Sequence, residues 1–177
     1  EALGEVARVD VPMDKGDVIL DIGCNDGTLL RAFRDHWGSR CEYVGFDPSD
    51  IEIFPHMDEA KIIKDYFSLE AYFKAVERPP KLITSVAMFY DVPNPLGFAK
   101  DIADMLAPGG IWINQLNDVG SVFRNRAFDF ISHEHLTYWD DHTMEAMLNR
   151  VGMSIFRREE LSLNGGTTRY WILKGKP

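Results

Sequence analysis

Apolar runs of strand length alternate along the chain with segments whose apolar residues recur at helical spacing. Residues 18–22 form a short apolar run, followed by a Gly/Asn/Asp turn and a helical pattern over 28–37. Residues 42–46 and 60–64 read as the second and third strands. A helix over 69–76 is closed by Pro79-Pro80, and 81–85 begins a fourth strand. The amphipathic pattern over 95–106 puts Phe98, Ile102, Met105 and Leu106 on one face, and Pro108-Gly109-Gly110 breaks it before a fifth strand at 111–115. A helix over 142–151 buries Met144, Met147, Leu148 and Val151 and ends at Gly152. Strands at 154–159 and 168–174 flank Asn164-Gly165-Gly166, a gap longer than a tight two-residue turn. Seven strands alternating with helices predict an α/β fold with a mainly parallel sheet.

Residues 116–140 depart from this rhythm. They lack clean periodicity, yet hold Phe123, Phe128, Phe130, Ile131, Tyr138 and Trp139. A stretch of that length within a compact domain is expected to be a lid or binding segment, and it leaves the carboxyl end of a strand, where ligands of open α/β sheets bind. The chain is expected to be one domain, 1–177, with 116–140 as an active-site lid insertion. It opens at Glu1 within an amphipathic helical pattern and is expected to be a piece of a longer protein.

The formal net charge of −9 opposes binding to nucleic acid, and the pairs Arg124/Arg126 and Arg157/Arg158 are too small to make a basic patch. No apolar run is long enough to span a bilayer, so no membrane association is expected. The two cysteines, Cys24 and Cys41, have no metal-ligand spacing and no signal peptide is evident, so a cytoplasmic location is expected.

The loop Asp21-Ile22-Gly23-Cys24-Asn25-Asp26-Gly27 joins the first strand to the first helix, where glycines allow a sharp turn and close approach to a ligand. A second acid, Asp47, ends the second strand 20 positions after Gly27, the placement of a ribose-binding carboxylate. A dinucleotide would set its pyrophosphate at the helix N-terminus. Here Asp21 and Asp26 flank that position and no lysine or arginine lies between Lys15 and Arg31. Carboxylates there suit a ligand carrying an ammonium and a sulfonium, which selects S-adenosyl-L-methionine (SAM).

The stretch Val18 to Gly27 resembles the first motif of class I SAM-dependent methyltransferases, with Asn25 where the family usually has glycine; asparagine tolerates positive φ. Val44-Gly45-Phe46-Asp47-Pro48 resembles the second motif, which implies a ribose contact by Asp47 with Pro48 beside the adenine. Asp65-Tyr66-Phe67 resembles the adenine-binding motif, although Asp65 can also be read as a helix cap. The segment Ile83 to Phe89, with Ser85, Val86 and Ala87, resembles the one that passes the methionine moiety, although small residues there can equally pack a strand end. Leu106 to Ile111 matches the turn before strand five. The resemblance implies a Rossmann-like doubly wound seven-stranded sheet, mostly parallel with an antiparallel last strand. It also implies cofactor contacts from Asp21, Gly23, Cys24, Asn25, Gly27, Asp47, Pro48, Asp65, Tyr66, Ser85, Val86 and Ala87.

In the lid, His133-Glu134-His135 sits in an aromatic run. An imidazole exchanges protons near neutrality, and Glu134 could orient one ring, so the trio reads as an acid/base centre; packing histidines are the alternative. The run lacks the His-Glu-x-x-His spacing of helical metal ligands, and no metal is expected. Glu134-His135-Leu136-Thr137-Tyr138 resembles the Glu-His-Leu-x-Tyr motif of sugar C-methyltransferases, and residues 163–169 resemble their Asn-Gly-Gly-Ser-x-Arg motif. Members of that family often carry tyrosine where this chain has Ser132, and they flank the methyltransferase core with zinc-binding and Rossmann-like domains. The resemblance implies carbon methylation of a keto-containing small acceptor, with His135 as base, His133 and Glu134 as partners, and Tyr90, Gln115, Tyr138 and Asn164 as acceptor contacts. O- or N-methylation of a small molecule and a non-catalytic SAM-binding module remain alternatives.

Overall fold

The computed structural model describes residues 11–52 and 59–176; the amphipathic opening at 1–10 lies outside the described residues. Seven strands run β1 (Val18–Ile22), β2 (Glu42–Phe46), β3 (Lys61–Ile63), β4 (Leu82–Val86), β5 (Ile111–Asn117), β6 (Met153–Leu161) and β7 (Thr167–Lys174). Among the described residues are five α-helices, α1 (Thr28–Trp37), α2 (Leu69–Ala75), α3 (Pro95–Met105), α4 (Val119–Asn125) and α5 (Asp141–Arg150). The sheet order is β3-β2-β1-β4-β5-β7-β6, and the last strand in the chain, β7, is antiparallel to both its neighbours. This is the expected Rossmann-like sheet.

The chain divides into two compact units. The first runs to Thr84 and adds Met105–Gly110; the second is Ser85–Asp104 with the chain from Ile111 onward. In the first unit, all five residues of β1 are buried, as a continuous apolar run in a parallel sheet requires. β1 pairs in parallel with β2, Asp21 opposite Gly45, and β2 pairs with β3. α1 buries Leu29, Leu30 and Phe33 and stops at Gly38, whose positive φ of 59° lets its N–H reach the Arg34 carbonyl.

In the second unit β7 lies between β5 and β6, with Gln115 opposite Arg169 and Arg169 opposite Glu159. The fully buried Trp112, Ile113 and Ile172 belong to this ladder. α5 starts on a capping box: Asp140 accepts from the Thr143 N–H, and the Thr143 hydroxyl accepts from the Asp140 N–H.

Strands predicted at 111–115, 154–159 and 168–174 extend by one to three residues at one or both ends. The main difference falls at 116–140. β5 continues to Asn117, Asp118 caps α4 by accepting from the Ser121 N–H at 2.7 Å, and a 3-10 turn covers Phe128–Phe130. Phe123 in α4 is 61% exposed. A short helix that turns an aromatic residue outward leaves no 3.6-residue apolar stripe, which is why the sequence pattern hid it.

Candidate functional sites in the two units

The loop after β1 is drawn against the end of β2: the N–H groups of Gly23 and Cys24 both donate to the Phe46 carbonyl, at 2.8 and 3.0 Å. Gly23, Asn25 and Gly27 have φ of 76°, 50° and 82°. Asn25 therefore adopts the left-handed conformation for which the family uses glycine. Its N–H donates to Asp47 Oδ2 at 2.8 Å, so the strand-end acid and the glycine loop form one structure. The other oxygen of Asp47 accepts from the N–H and hydroxyl of Ser49. Burial works to raise this carboxyl, but the hydrogen bonds from Ser49 and Asn25 outweigh it and hold Asp47 below the usual carboxylate range.

Asp21 is 3% exposed, and the Thr84 hydroxyl donates to its Oδ1 at 2.6 Å. Removal from water pushes its carboxyl up to about 7; the Thr84 bond works against that rise and the Asp47 charge adds to it. A buried acid poised in this way gains most from a cation brought beside it. The charge inventory of the loop thus fits SAM as a ligand, and Asp21, Asp47 and the tight turn at Gly23 to Gly27 are the groups that would hold it.

Space in the loop depends on Gly45. A Cβ at that position would lie 2.6 Å from Cys24 Sγ and 2.9 Å from Ile62 Cδ1, both buried or half-buried. Gly45→Val is expected to destabilise the fold by about 1–3 kcal/mol and to displace Cys24 and weaken SAM binding. Urea denaturation and calorimetry on the same sample check both effects.

Pro48, Asp65 and Tyr66 are exposed. Asp65 accepts from the Tyr66 N–H at 2.7 Å and does not cap α2; that role belongs to Ser68, which accepts from the Ala71 N–H. The reading of Asp65 as a helix cap is therefore corrected.

In the second unit the Ser85 hydroxyl is fully buried, donating to Asn114 Oδ1 at 3.0 Å and accepting from Trp112 Nε1 at 2.9 Å. Its side chain is committed to the core. Val86 is half-buried, and Ala87, at φ 54°, donates its N–H to the Gln115 carbonyl.

His135 packs into a corner formed by two aromatic rings that also touch each other, 4.2 Å from Tyr90 and 4.4 Å from Phe130 by ring centroids, with 5.4 Å between those two. Its Nδ1 lies 2.7 Å from the Phe130 carbonyl. The ring is thus oriented by a backbone carbonyl and not, as expected, by Glu134, whose own N–H is turned back to the Ser132 hydroxyl. His133 and Glu134 are both exposed. The Tyr90 carbonyl accepts from Leu136 and Thr137 N–H groups, which ties this loop to the turn after β4. The Tyr138 hydroxyl donates to the Ser132 carbonyl at 3.2 Å.

The structure adds Asp91 to this group. Burial raises its carboxyl, while His135 works against that rise and Glu134 adds to it. The charges of His135 and Glu134 are thus both felt at Asp91. Nothing in the spacing of Asp91 from the histidines along the sequence tied it to His135.

Asn164 takes a φ of 46°, and its carbonyl accepts from Asn117 Nδ2 at 2.8 Å. The next residue, Gly165, has φ 79°, and a Cβ there would sit 2.2 Å from the Ala127 Cβ. Gly165→Ala is expected to cost about 1–3 kcal/mol and to loosen Asn164, readable as a lower thermal midpoint.

A family profile described as "Methyltransferase domain" matches residues 5–156. The chain belongs to the class I SAM-dependent methyltransferases. It is 22% identical over 160 residues to the C-methyltransferase NovU of Streptomyces niveus, covering 89% of this chain and 37% of that protein. It is 29% identical over 121 residues to a ubiquinone biosynthesis O-methyltransferase of Xanthomonas campestris pv. campestris, covering 66% of this chain and 49% of that one. This methyltransferase chain therefore spans half or less of the curated relatives it matches. In fold it resembles the chain solved with the Haloferax volcanii Trm112 methyltransferase activator, with a TM-score of 0.76 at 16% identity, covering 98% of this chain and 89% of that one.

Proposed function

We propose that this domain methylates a carbon beside a carbonyl in a small acceptor of the nucleotide-linked keto-sugar type, with His135 as the base. SAM, when bound, supplies an electrophilic methyl group on its sulfonium. The observation that carries the reading is the contact between His135 Nδ1 and the Phe130 carbonyl. A carbonyl oxygen only accepts, so Nδ1 carries the proton and Nε2 presents its lone pair. Nε2 takes the proton from the acceptor carbon, and the C–H electron pair passes to the enolate. That carbon forms the new C–C bond as the S–CH3 bond breaks with its electrons on sulfur, and His135 later returns its proton to water.

Asp91 stabilises the imidazolium formed in this step. Tyr90 is kept as a neutral hydroxyl, because burial, with a smaller contribution from Asp91, pushes it up to about 12; it therefore donates a hydrogen bond to the acceptor. Tyr138, Gln115 and Asn164 are further acceptor contacts. The exposed His133 and Glu134 carry protons between His135 and solvent. The similarity to a C-methyltransferase supports carbon as the target, and the O-methyltransferase relative supports oxygen as the second reading.

Turnover with SAM carrying a carbon-13 methyl group, offered nucleotide-linked keto-sugars and small phenols, separates the two by NMR of the product. A methyl bonded to carbon is expected. A methyl bonded only to oxygen would replace the first reading by the second.

Among the described residues no helix is long and apolar enough to cross a membrane. The acceptor is taken to be a small molecule, since an acidic chain of net charge −9 disfavours nucleic acid.

A further inference from the structure

Among the polar side chains buried in the β5–β7 ladder, Gln115 is 5% exposed and Arg169 is 1% exposed. They stand directly opposite each other, and Arg169 Nε donates to Gln115 Oε1 at 2.8 Å. On its other side Arg169 faces Glu159 on β6, with Nη1 3.3 Å from Oε2. The three residues form one row across three strands. A guanidinium has donors and no acceptor, so only the oxygen of the Gln115 amide can face it. Turning the amide over would set N–H against N–H inside the protein and leave both unsatisfied, a costly arrangement.

The amide nitrogen of Gln115 is consequently left over. It makes no hydrogen bond among the described residues, and it is not sealed off like the orphaned Nδ2 of neighbouring Asn114. The Gln115 backbone carbonyl accepts from Ala87 N–H, three residues before Tyr90, whose ring packs on His135. Gln115 is thereby held to the segment that carries the proposed acceptor chemistry.

We infer that Arg169 is a positioning residue that fixes Gln115 with its amide N–H toward the acceptor, so that the site selects an acceptor oxygen, a ketone becoming an enolate, over an amine at that point. This rests on the proposed carbon methylation. Glu159 holds the guanidinium, the guanidinium holds the amide oxygen, and the amide nitrogen donates to the oxygen on which negative charge develops.

Two measurements test it on the whole chain. The first needs no acceptor: the side-chain amide signals of Gln115 are followed by NMR, assigned by their loss in Gln115→Ala. One sharp pair of amide protons is expected in the unsubstituted protein and in Arg169→Lys, which keeps a donor. Shifted or doubled signals are expected in Arg169→Met. An unchanged Gln115 amide in Arg169→Met would overturn the positioning role whatever the reaction is. The second is turnover of nucleotide-linked keto-sugars with radiolabelled SAM. Arg169→Met is expected to lower kcat by about tenfold or more, with acceptor KM and SAM affinity little changed. The double variant Gln115→Ala/Arg169→Met is expected to match Gln115→Ala alone. Additive losses would show that Arg169 acts only on the fold. Methylation of amines and not ketones by the unsubstituted enzyme would remove the selectivity claim together with the proposed function, while the amide signals would still decide the positioning claim.

Discussion

His135→Ala is expected to reduce turnover of a keto acceptor by about 10²–10⁴-fold, the usual contribution of a positioned general base, while leaving SAM binding nearly unchanged. The expectation follows from the ring's setting. Nδ1 is tied to the Phe130 carbonyl and the ring packs against Tyr90 and Phe130, so the imidazole is fixed in one tautomer that leaves Nε2 as its basic nitrogen. His135→Gln preserves some of the packing and still lacks the base, so it should lose about as much activity. Rapid-quench turnover combined with equilibrium SAM binding reads the two effects separately. Full turnover by His135→Ala would remove the base assignment, and a parallel collapse of SAM affinity would point to a folding defect.

Asp21→Asn is expected to weaken SAM binding by about 10–100-fold, the range for losing a buried charge-assisted contact. The asparagine keeps the shape of the carboxyl and an oxygen for the Thr84 hydroxyl, so the charge is what changes. The pH dependence has a definite sign. Burial raises the Asp21 carboxyl from 3.8 to about 7 in the ligand-free domain. A cation binds the ionised form, so SAM affinity should climb by up to about tenfold per pH unit below 7 and level off above it. Stability of the ligand-free protein moves the other way. The folded state holds a proton that the unfolded chain releases near 3.8, so this contribution is full below about 4 and is lost as pH rises through about 7. Asp21→Asn should flatten both profiles below about pH 7. A steep affinity profile that survives in Asp21→Asn would place the titrating group elsewhere.

The sheet and the glycine loop were legible because their signals are local. A buried apolar run such as Val18–Ile22, a glycine-rich turn and a strand-end acid each write their role into adjacent residues. The positive φ of Asn25 was legible in the same way, whereas the hydrogen bond from its N–H to Asp47, 22 positions on, was not. Helix α4 was not legible, because a seven-residue helix with an outward Phe123 has no stripe to detect. The orientation of His135 was missed for a related reason. Its partner is a backbone carbonyl five residues away, and any residue at that position supplies one. Ser85 was read from its place after a strand, yet its hydroxyl is spent on Asn114 and Trp112, contacts that only the pairing of distant strands creates. The row Gln115–Arg169–Glu159 depends likewise on the β5–β7–β6 register, and sequence showed its members without joining them.

On this account the acid-lined loop after β1 takes a cationic adenosyl ligand. Isothermal titration of the purified chain with SAM, S-adenosylhomocysteine and NAD tests it most directly. Saturable one-to-one binding of the first two, lost or sharply weakened in Asp21→Asn, with no heat from NAD, is the predicted result. Uptake of NAD together with indifference to SAM and S-adenosylhomocysteine would contradict it.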